Sequence, residues 1–212
     1  MTDIKVAKEL LRIKAVFLRP NDPFTWASGI KSPIYCDNRL ILTDTEARKV
    51  VEEAIAKTVK EKFPEVEVLM GTSTAGIAHA AIAGWLLDLP MGYVRSGNKD
   101  HGRGNQIEGR LDKGNKVVVI EDLVSTGGSS LKTVEILQNY GSEVIGMTCL
   151  FNYKFPVAVK RFHEANINLI SLCDYSTMLE VAEQTNYISP QEAETLREWR
   201  KDPASWMPDF KE

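Results

Sequence analysis

The stretch of the chain richest in reactive side chains runs from Val117 to Ser130. Four consecutive apolar residues, Val117 to Ile120, are followed at once by Glu121 and Asp122, and then by Leu123, Val124, Ser125, Thr126, Gly127, Gly128, Ser129 and Ser130. An apolar run of this kind reads as a buried strand, and charge arriving at its carboxyl end marks the place where open parallel sheets bind ligands. The helix expected next presents unpaired backbone N–H groups and the positive end of its dipole to whatever lies in the turn. Gly127 and Gly128 let the backbone come close, and the hydroxyls of Ser125, Thr126 and Ser129 add donors, so the turn suits a single phosphate. Glu121 and Asp122 would repel that phosphate, so their fitting partner is a neutral polyol or a metal-bound group beside it. Ribose hydroxyls have that chemistry. The plainer alternative is that the hydroxyls only cap the helix and the acids are solvated, which suits a lone Gly-Gly turn better than this full string.

A second loaded stretch comes directly before this strand. Between Arg95 and Lys116 lie Gly97, Gly102, Gly104 and Gly109, mixed with Lys99, His101, Arg103 and Arg110. A solvated loop has such a composition too, but here the cations collect next to a presumed phosphate turn in a chain whose net charge is -3. Glycines also give the loop freedom to open and close.

These residues need a scaffold, and the apolar pattern supplies one. Asp3 to Phe17 and Glu46 to Lys60 carry apolar side chains at helical spacing. The run VEVLM, the small-residue stretch GTSTAG and the segment IAHAAIAGWLL read as strand, turn and helix. MGYV is a strand ending at Arg95, and VVVIEDLVSTGGSSLKTVEILQNYG repeats the strand, turn and helix unit. VIGMTCL and INLISL read as further buried strands, separated by a helix from Pro156 to Ala165. Non-alternating apolar runs interleaved with amphipathic helices predict a doubly wound α/β fold, a parallel sheet covered on both faces. The C-terminal stretch after Ser189 and Pro190 reads as a capped surface helix. One domain over residues 1–212 is expected, with a core of about 41–175 and a small cap built from about 1–40 and the C-terminal tail.

Composition narrows the chemistry. The acidic balance argues against a nucleic-acid binder, which needs a basic excess to displace counterions. No apolar run nears the ~20 residues of a membrane-spanning helix, and the N-terminal stretch is amphipathic rather than signal-like, so a cytoplasmic location is expected. Cys36, Cys149 and Cys173 are widely spaced and odd in number, which predicts reduced thiols and no resident metal, with Cys149 a small buried hydrophobe.

The string VVVIEDLVSTGGSS resembles the signature of type I phosphoribosyltransferases. That resemblance implies that the turn holds the 5-phosphate of 5-phosphoribosyl 1-diphosphate and that Glu121 and Asp122 meet the 2- and 3-hydroxyls. YVRSGNKDHGRGNQIEG in turn resembles the catalytic loop of orotate phosphoribosyltransferases, with Arg95, Lys99 and His101 at the positions that bind the diphosphate. Lys99 and Asp122 are then the catalytic pair, magnesium arrives with the diphosphate, and the protein is a homodimer whose loop reaches the neighbouring site. The likeness to the orotate branch extends from FTWASGIKSPIYCDNR through GTSTAGIAHA to both segments above, and implies that Ser28, Gly29, Lys31 and Tyr35 face the pyrimidine, with Ser125 touching it. The expected reaction makes orotidine 5'-monophosphate in pyrimidine (UMP) biosynthesis. Ala27, Thr74, Ala75, Ser96 and Tyr153 depart from the pattern, replacing lysines, a tyrosine and an arginine of other members. Purine or xanthine acceptors, or a donor-sensing regulator on the same fold, are the competing readings. The regulator would need an added nucleic-acid-binding domain, and this chain instead keeps Lys99.

Overall fold

The computed structural model describes residues 2–25, 29, 31–97 and 106–206. In chain order they form α1 (Thr2–Arg12), β1 (Val16–Leu18), β2 (Phe24–Thr25), β3 (Lys31–Ser32), β4 (Ile34–Cys36), a 3-10 turn (Asn38–Thr43), α2 (Thr45–Lys62), β5 (Val68–Thr72), α3 (Ala75–Leu87), β6 (Met91–Val94), β7 (Ile107–Glu108) and β8 (Lys116–Val124). There follow α4 (Gly128–Tyr140), β9 (Glu143–Asn152), α5 (Pro156–Glu164), β10 (Leu169–Asp174), α6 (Tyr175–Gln184) and α7 (Pro190–Lys201).

Six strands make the main sheet in the order β10-β9-β8-β5-β6-β7. The first five are parallel, and β7 closes the edge as an antiparallel hairpin partner of β6. Side chains alternate along β8 between two cores. Val118 and Ile120 pack with α1, α2, α3, α6 and α7, whereas Val117 and Val119 pack with α4 and α5. Burial on both faces explains why these strands read as unbroken apolar runs. The doubly wound expectation holds, with the antiparallel β7 as the one addition.

Three local expectations are corrected. The first helix stops at Arg12, not at Phe17, because Lys14 takes a left-handed turn (φ 56°) that sends Val16–Leu18 into antiparallel pairing with β4. The strand carrying the acids does not end at Ile120; it runs on to Val124, still paired with β9 through Val124 and Asn152. The C-terminal helix is more than a surface helix, since Ala193, Leu196 and Trp199 are fully buried beneath it. Its capping box, in which the Ser189 hydroxyl accepts from the Glu192 amide and Glu192 accepts from the Ser189 amide, is as expected.

A small layer formed by the two strand pairs β1-β4 and β2-β3 is separate from the main sheet and is tied to the C-terminal helix. The Trp199 indole donates to the Lys31 carbonyl (3.1 Å), and Asn21 donates to Glu192 (3.0 Å). Beneath it Tyr153 stacks on Phe155 with ring centroids 5.1 Å apart, and Tyr175 and Trp199 close the cluster. Cys149 is fully buried, and burial pushes its thiol well above the usual range, as befits an inert core residue. Among the described residues no helix is long and apolar enough to cross a membrane.

Candidate active site

A cleft of about 360 Å³ opens at the carboxyl ends of β5, β6 and β8. Thr72 and Ser73 form one wall, Arg95 and Gln106 another, and Asp122, Ser125 and Ser129 the floor. Each wall comes from a strand end followed by a turn, the place where a parallel sheet leaves backbone groups unpaired.

The wall of Thr72 and Ser73 depends on close packing. A Cβ on Gly76 would lie 2.4 Å from the Ile120 carbonyl oxygen and 2.5 Å from the Thr72 hydroxyl, so only glycine lets α3 press against the ends of β5 and β8. Ser73 is fixed to the next strand, its amide and hydroxyl both donating to the Val94 carbonyl (3.2 and 2.7 Å). The wall next to it is a clasp between Arg95 and Gln106. The Arg95 amide donates to the Gln106 carbonyl (2.8 Å) and the Gln106 side chain donates back to the Arg95 carbonyl (3.2 Å). The Arg95 guanidinium lies 3.6 Å from Glu108.

On the floor the two acids have different surroundings. Glu121 is buried, and its Oε1 accepts from the Thr72 hydroxyl (2.6 Å) and the Asp122 amide (3.0 Å), while Oε2 accepts from the Ser130 hydroxyl (2.8 Å). Burial, with the neighbouring Asp122 charge adding to it, pushes its carboxyl up to about 7 against the hydrogen bonds that favour ionisation. Near neutral pH Glu121 is therefore only partly charged, which eases the conflict between an acid pair and a nearby phosphate. Asp122 is half-exposed at the cleft, and its carbonyl is held by the buried Asn38 side chain (2.8 Å).

Beyond Ser125 the chain turns at Thr126 into α4. Gly127 sits in the left-handed region (φ 77°) at the helix N-cap, and no side chain caps the first turn. A Cβ there would meet the Phe162 ring at 2.9 Å. The amides of this turn are thus open to an anion, as the sequence reading requires.

Of the residues singled out from sequence, Arg95, Glu121, Asp122, Leu123, Ser125 and Ser129 line the cleft. Val124, Thr126, Gly127 and Gly128 form the adjoining strand end and turn. Lys99, His101 and Ser28 lie outside the described residues. Gly29, Lys31 and Tyr35 belong to the small separate layer and do not line this cleft; Lys31 donates to Thr25 (2.9 Å), and the half-exposed Tyr35 ring lies 5.5 Å from that of Phe24. Tyr153 is buried in the aromatic cluster. Sequence reasoning did not single out Thr72, Ser73, Gln106 or Lys132 as cleft residues. The signal for the first two was present, because GTSTAG has the same strand, small-residue turn and helix arrangement as the phosphate turn.

The family model described as phosphoribosyl transferase domain matches residues 40–175. An orotate phosphoribosyltransferase from Listeria innocua is 56% identical over 202 residues, covering 95% of this chain and 97% of the relative. One from Enterococcus faecalis is 52% identical over 202 residues, 95% of this chain and 96% of the relative. Among solved structures, the orotate phosphoribosyltransferase of Aeropyrum pernix has a TM-score of 0.75 at 29% identity, over 87% of this chain and 99% of that one. A family model spanning the whole sheet core and relatives matched nearly end to end give the same assignment as the acid pair and its turn: the chain belongs to the orotate phosphoribosyltransferases of the phosphoribosyltransferase family.

Proposed function

We propose that the chain carries out the reaction of its family with the division of labour that the cleft supports, moving ribose 5-phosphate from 5-phosphoribosyl 1-diphosphate to a ring nitrogen of orotate and releasing diphosphate. The observation that carries the assignment of roles is the contrast on the floor of the cleft. An uncapped helix N-terminus faces one way with its amides free, and a half-exposed Asp122 stands five residues before its N-cap, Gly127. The turn from Ser125 to Ser129 takes the 5-phosphate. Asp122 takes the ribose hydroxyls, and Glu121 supports it from below.

Breaking the C1 to oxygen bond leaves positive charge on the sugar and negative charge on the departing diphosphate. Arg95 at the clasp, with Lys99 and His101 of the loop it closes, supplies the opposing charge; one well-placed donor of this kind contributes about 3 kcal/mol to the transition state. A closed loop also keeps water from the sugar cation. Magnesium, when bound, spreads the diphosphate charge, and it binds such substrates through their phosphate oxygens and several waters, so it needs few protein ligands.

The homodimer has its own support. Helix α3 carries no Asp, Glu, Lys or Arg and, apart from the buried His79, is apolar all round, a pattern of helices buried on all sides. Its outer side is nonetheless open, with the N-cap Thr74, Ala81 and Trp85 exposed, Trp85 by 81%. A second copy would cover it. The cytoplasmic setting rests on the three cysteines, all free. Turnover of orotate, but not of xanthine, hypoxanthine or adenine, with the donor and magnesium is the expected result of a base-consumption assay. Consumption of a purine instead would overturn the acceptor assignment.

A further inference from the structure

Helix α5 contributes nothing to the lining of the cleft, yet it shapes the phosphate turn from behind. Phe162 stands where any side chain on Gly127 would go, at 2.9 Å from the position of its Cβ. One residue earlier, Arg161 Nη1 donates to the Thr126 carbonyl oxygen at 2.9 Å. The same nitrogen lies 3.6 Å from where a Cβ of Gly128 would stand, so the guanidinium rests along the outside of the turn. Among the described residues the Arg161 side chain makes no other hydrogen bond, although a guanidinium has five N–H donors.

The consequence is stereochemical. The Thr126–Gly127 peptide is trans, and in a planar trans peptide the C=O and the following N–H point in opposite directions. With the Thr126 oxygen drawn toward α5, the Gly127 N–H is directed away from α5. Ser125 and Ser129 on either side of it face the cleft. A free peptide at a glycine would flip with little resistance, because glycine tolerates both hands of φ.

We propose that Arg161 is a positioning residue for the donor's 5-phosphate. It locks the Thr126–Gly127 peptide so that the Gly127 N–H joins the phosphate cradle, and its charge, carried on the rear of the turn, draws the phosphate toward that N–H. The inference rests on the assignment of this turn to the 5-phosphate.

Calorimetry with ribose 5-phosphate and with inorganic diphosphate plus magnesium separates the two ends of the donor. In Arg161→Met the affinity for ribose 5-phosphate should fall about tenfold, as expected for losing one charge-assisted hydrogen bond and its charge. Diphosphate binding should stay within about twofold. Arg161→Lys keeps one donor and the charge, and should recover most of the loss. In the full reaction the donor KM should rise in the methionine variant with kcat nearly unchanged. A purely structural role would weaken both ligands together and would lower kcat as well. Unchanged ribose 5-phosphate affinity in the methionine variant, or equal loss for both ligands, overturns the proposal. Should the methionine variant not fold, Arg161→Gln is measured against the lysine variant, and equal affinity of those two overturns it likewise. Failure of the wild-type protein to bind ribose 5-phosphate at all would instead overturn the reading of the turn.

Discussion

The Thr72 hydroxyl lies 2.6 Å from Glu121 Oε1, joining the end of β5 to the interior of the neighbouring parallel strand β8 inside the protein. The other carboxyl oxygen takes the Ser130 hydroxyl from the first turn of α4. One buried acid thus links three pieces that wall or floor the cleft: the Thr72 strand end, the Asp122 backbone and the phosphate helix. The three donors allow the ionised form, and burial opposes it strongly enough to raise the group to about 7.

A pH dependence of stability follows from that balance. The ordinary value is 4.5, and the folded value is higher, so the contribution of Glu121 is complete below pH 4.5 and is lost as pH rises through about 7. The loss amounts to about 3 kcal/mol at the upper end. Glu121→Gln cannot ionise and should lack this decline. Denaturant unfolding at intervals from pH 5 to 8 should show the wild type falling relative to the variant; parallel curves would mean that Glu121 titrates normally.

The two glycines of the turn should part company. Gly127 combines a left-handed φ of 77° with the Phe162 ring at 2.9 Å from its would-be Cβ, whereas Gly128 would meet only Arg161 at an ordinary 3.6 Å. Gly127→Ala should cost about 1–2 kcal/mol from backbone conformation alone, with the clash added. Gly128→Ala should leave stability within about 0.5 kcal/mol. Donor affinity should fall in both, because the phosphate approaches the bare backbone of each. Equal destabilisation of the two variants would contradict the observed turn geometry.

Much of this arrangement was legible in sequence because local pattern and tertiary role coincide there. The β8 and α4 unit reads directly: an apolar run buried on both faces, then hydroxyls and glycines at the helix start. The pattern misled where a long-range partner decided the outcome. Val16 and Phe17 fit a helical stripe but pair with β4, and the left-handed Lys14 that diverts them has no signature of its own. Glu121 looked like the end of a strand because a charge is expected to leave the core. It stays in the ladder because Thr72 and Ser130, from distant positions, receive it. Helix α6 was not anticipated, although Asp174 caps it by accepting from the Thr177 amide, a spacing visible in the chain. Arg161 gave no signal, since its partner is a backbone carbonyl 35 residues away.

Magnesium dependence should be reversible. If the ion comes with the diphosphate rather than with the apoprotein, excess chelator should abolish turnover and added magnesium should restore it in full. Stability of the protein without substrates should not change on chelation, because no ligand cluster among the described residues would lose its ion. Stoichiometric zinc in purified protein that stays active in chelator would refute this.

The sharing of the loop between subunits can be tested by complementation. Lys99 is proposed to neutralise the departing diphosphate, so Lys99→Ala should lower kcat far more than it weakens substrate binding, as for an interaction made chiefly in the transition state. Asp122→Asn should disable the site whose floor carries the ribose. The described residues on either side of the loop, Arg95 and Gln106, are clasped together at the edge of the sheet where β6 and β7 meet. If the loop crosses to the partner, heterodimers of the two variants contain one site with both residues altered and one with both intact. Mixing two nearly inactive preparations under conditions that exchange subunits should then restore activity, up to about half the normal value per heterodimer if the sites are independent. A loop acting within its own chain would give two sites with one defect each, and no recovery. Exchange confirmed by mass without returning activity therefore decides against the shared loop while leaving the assignment of the cleft, the turn and Asp122 in place.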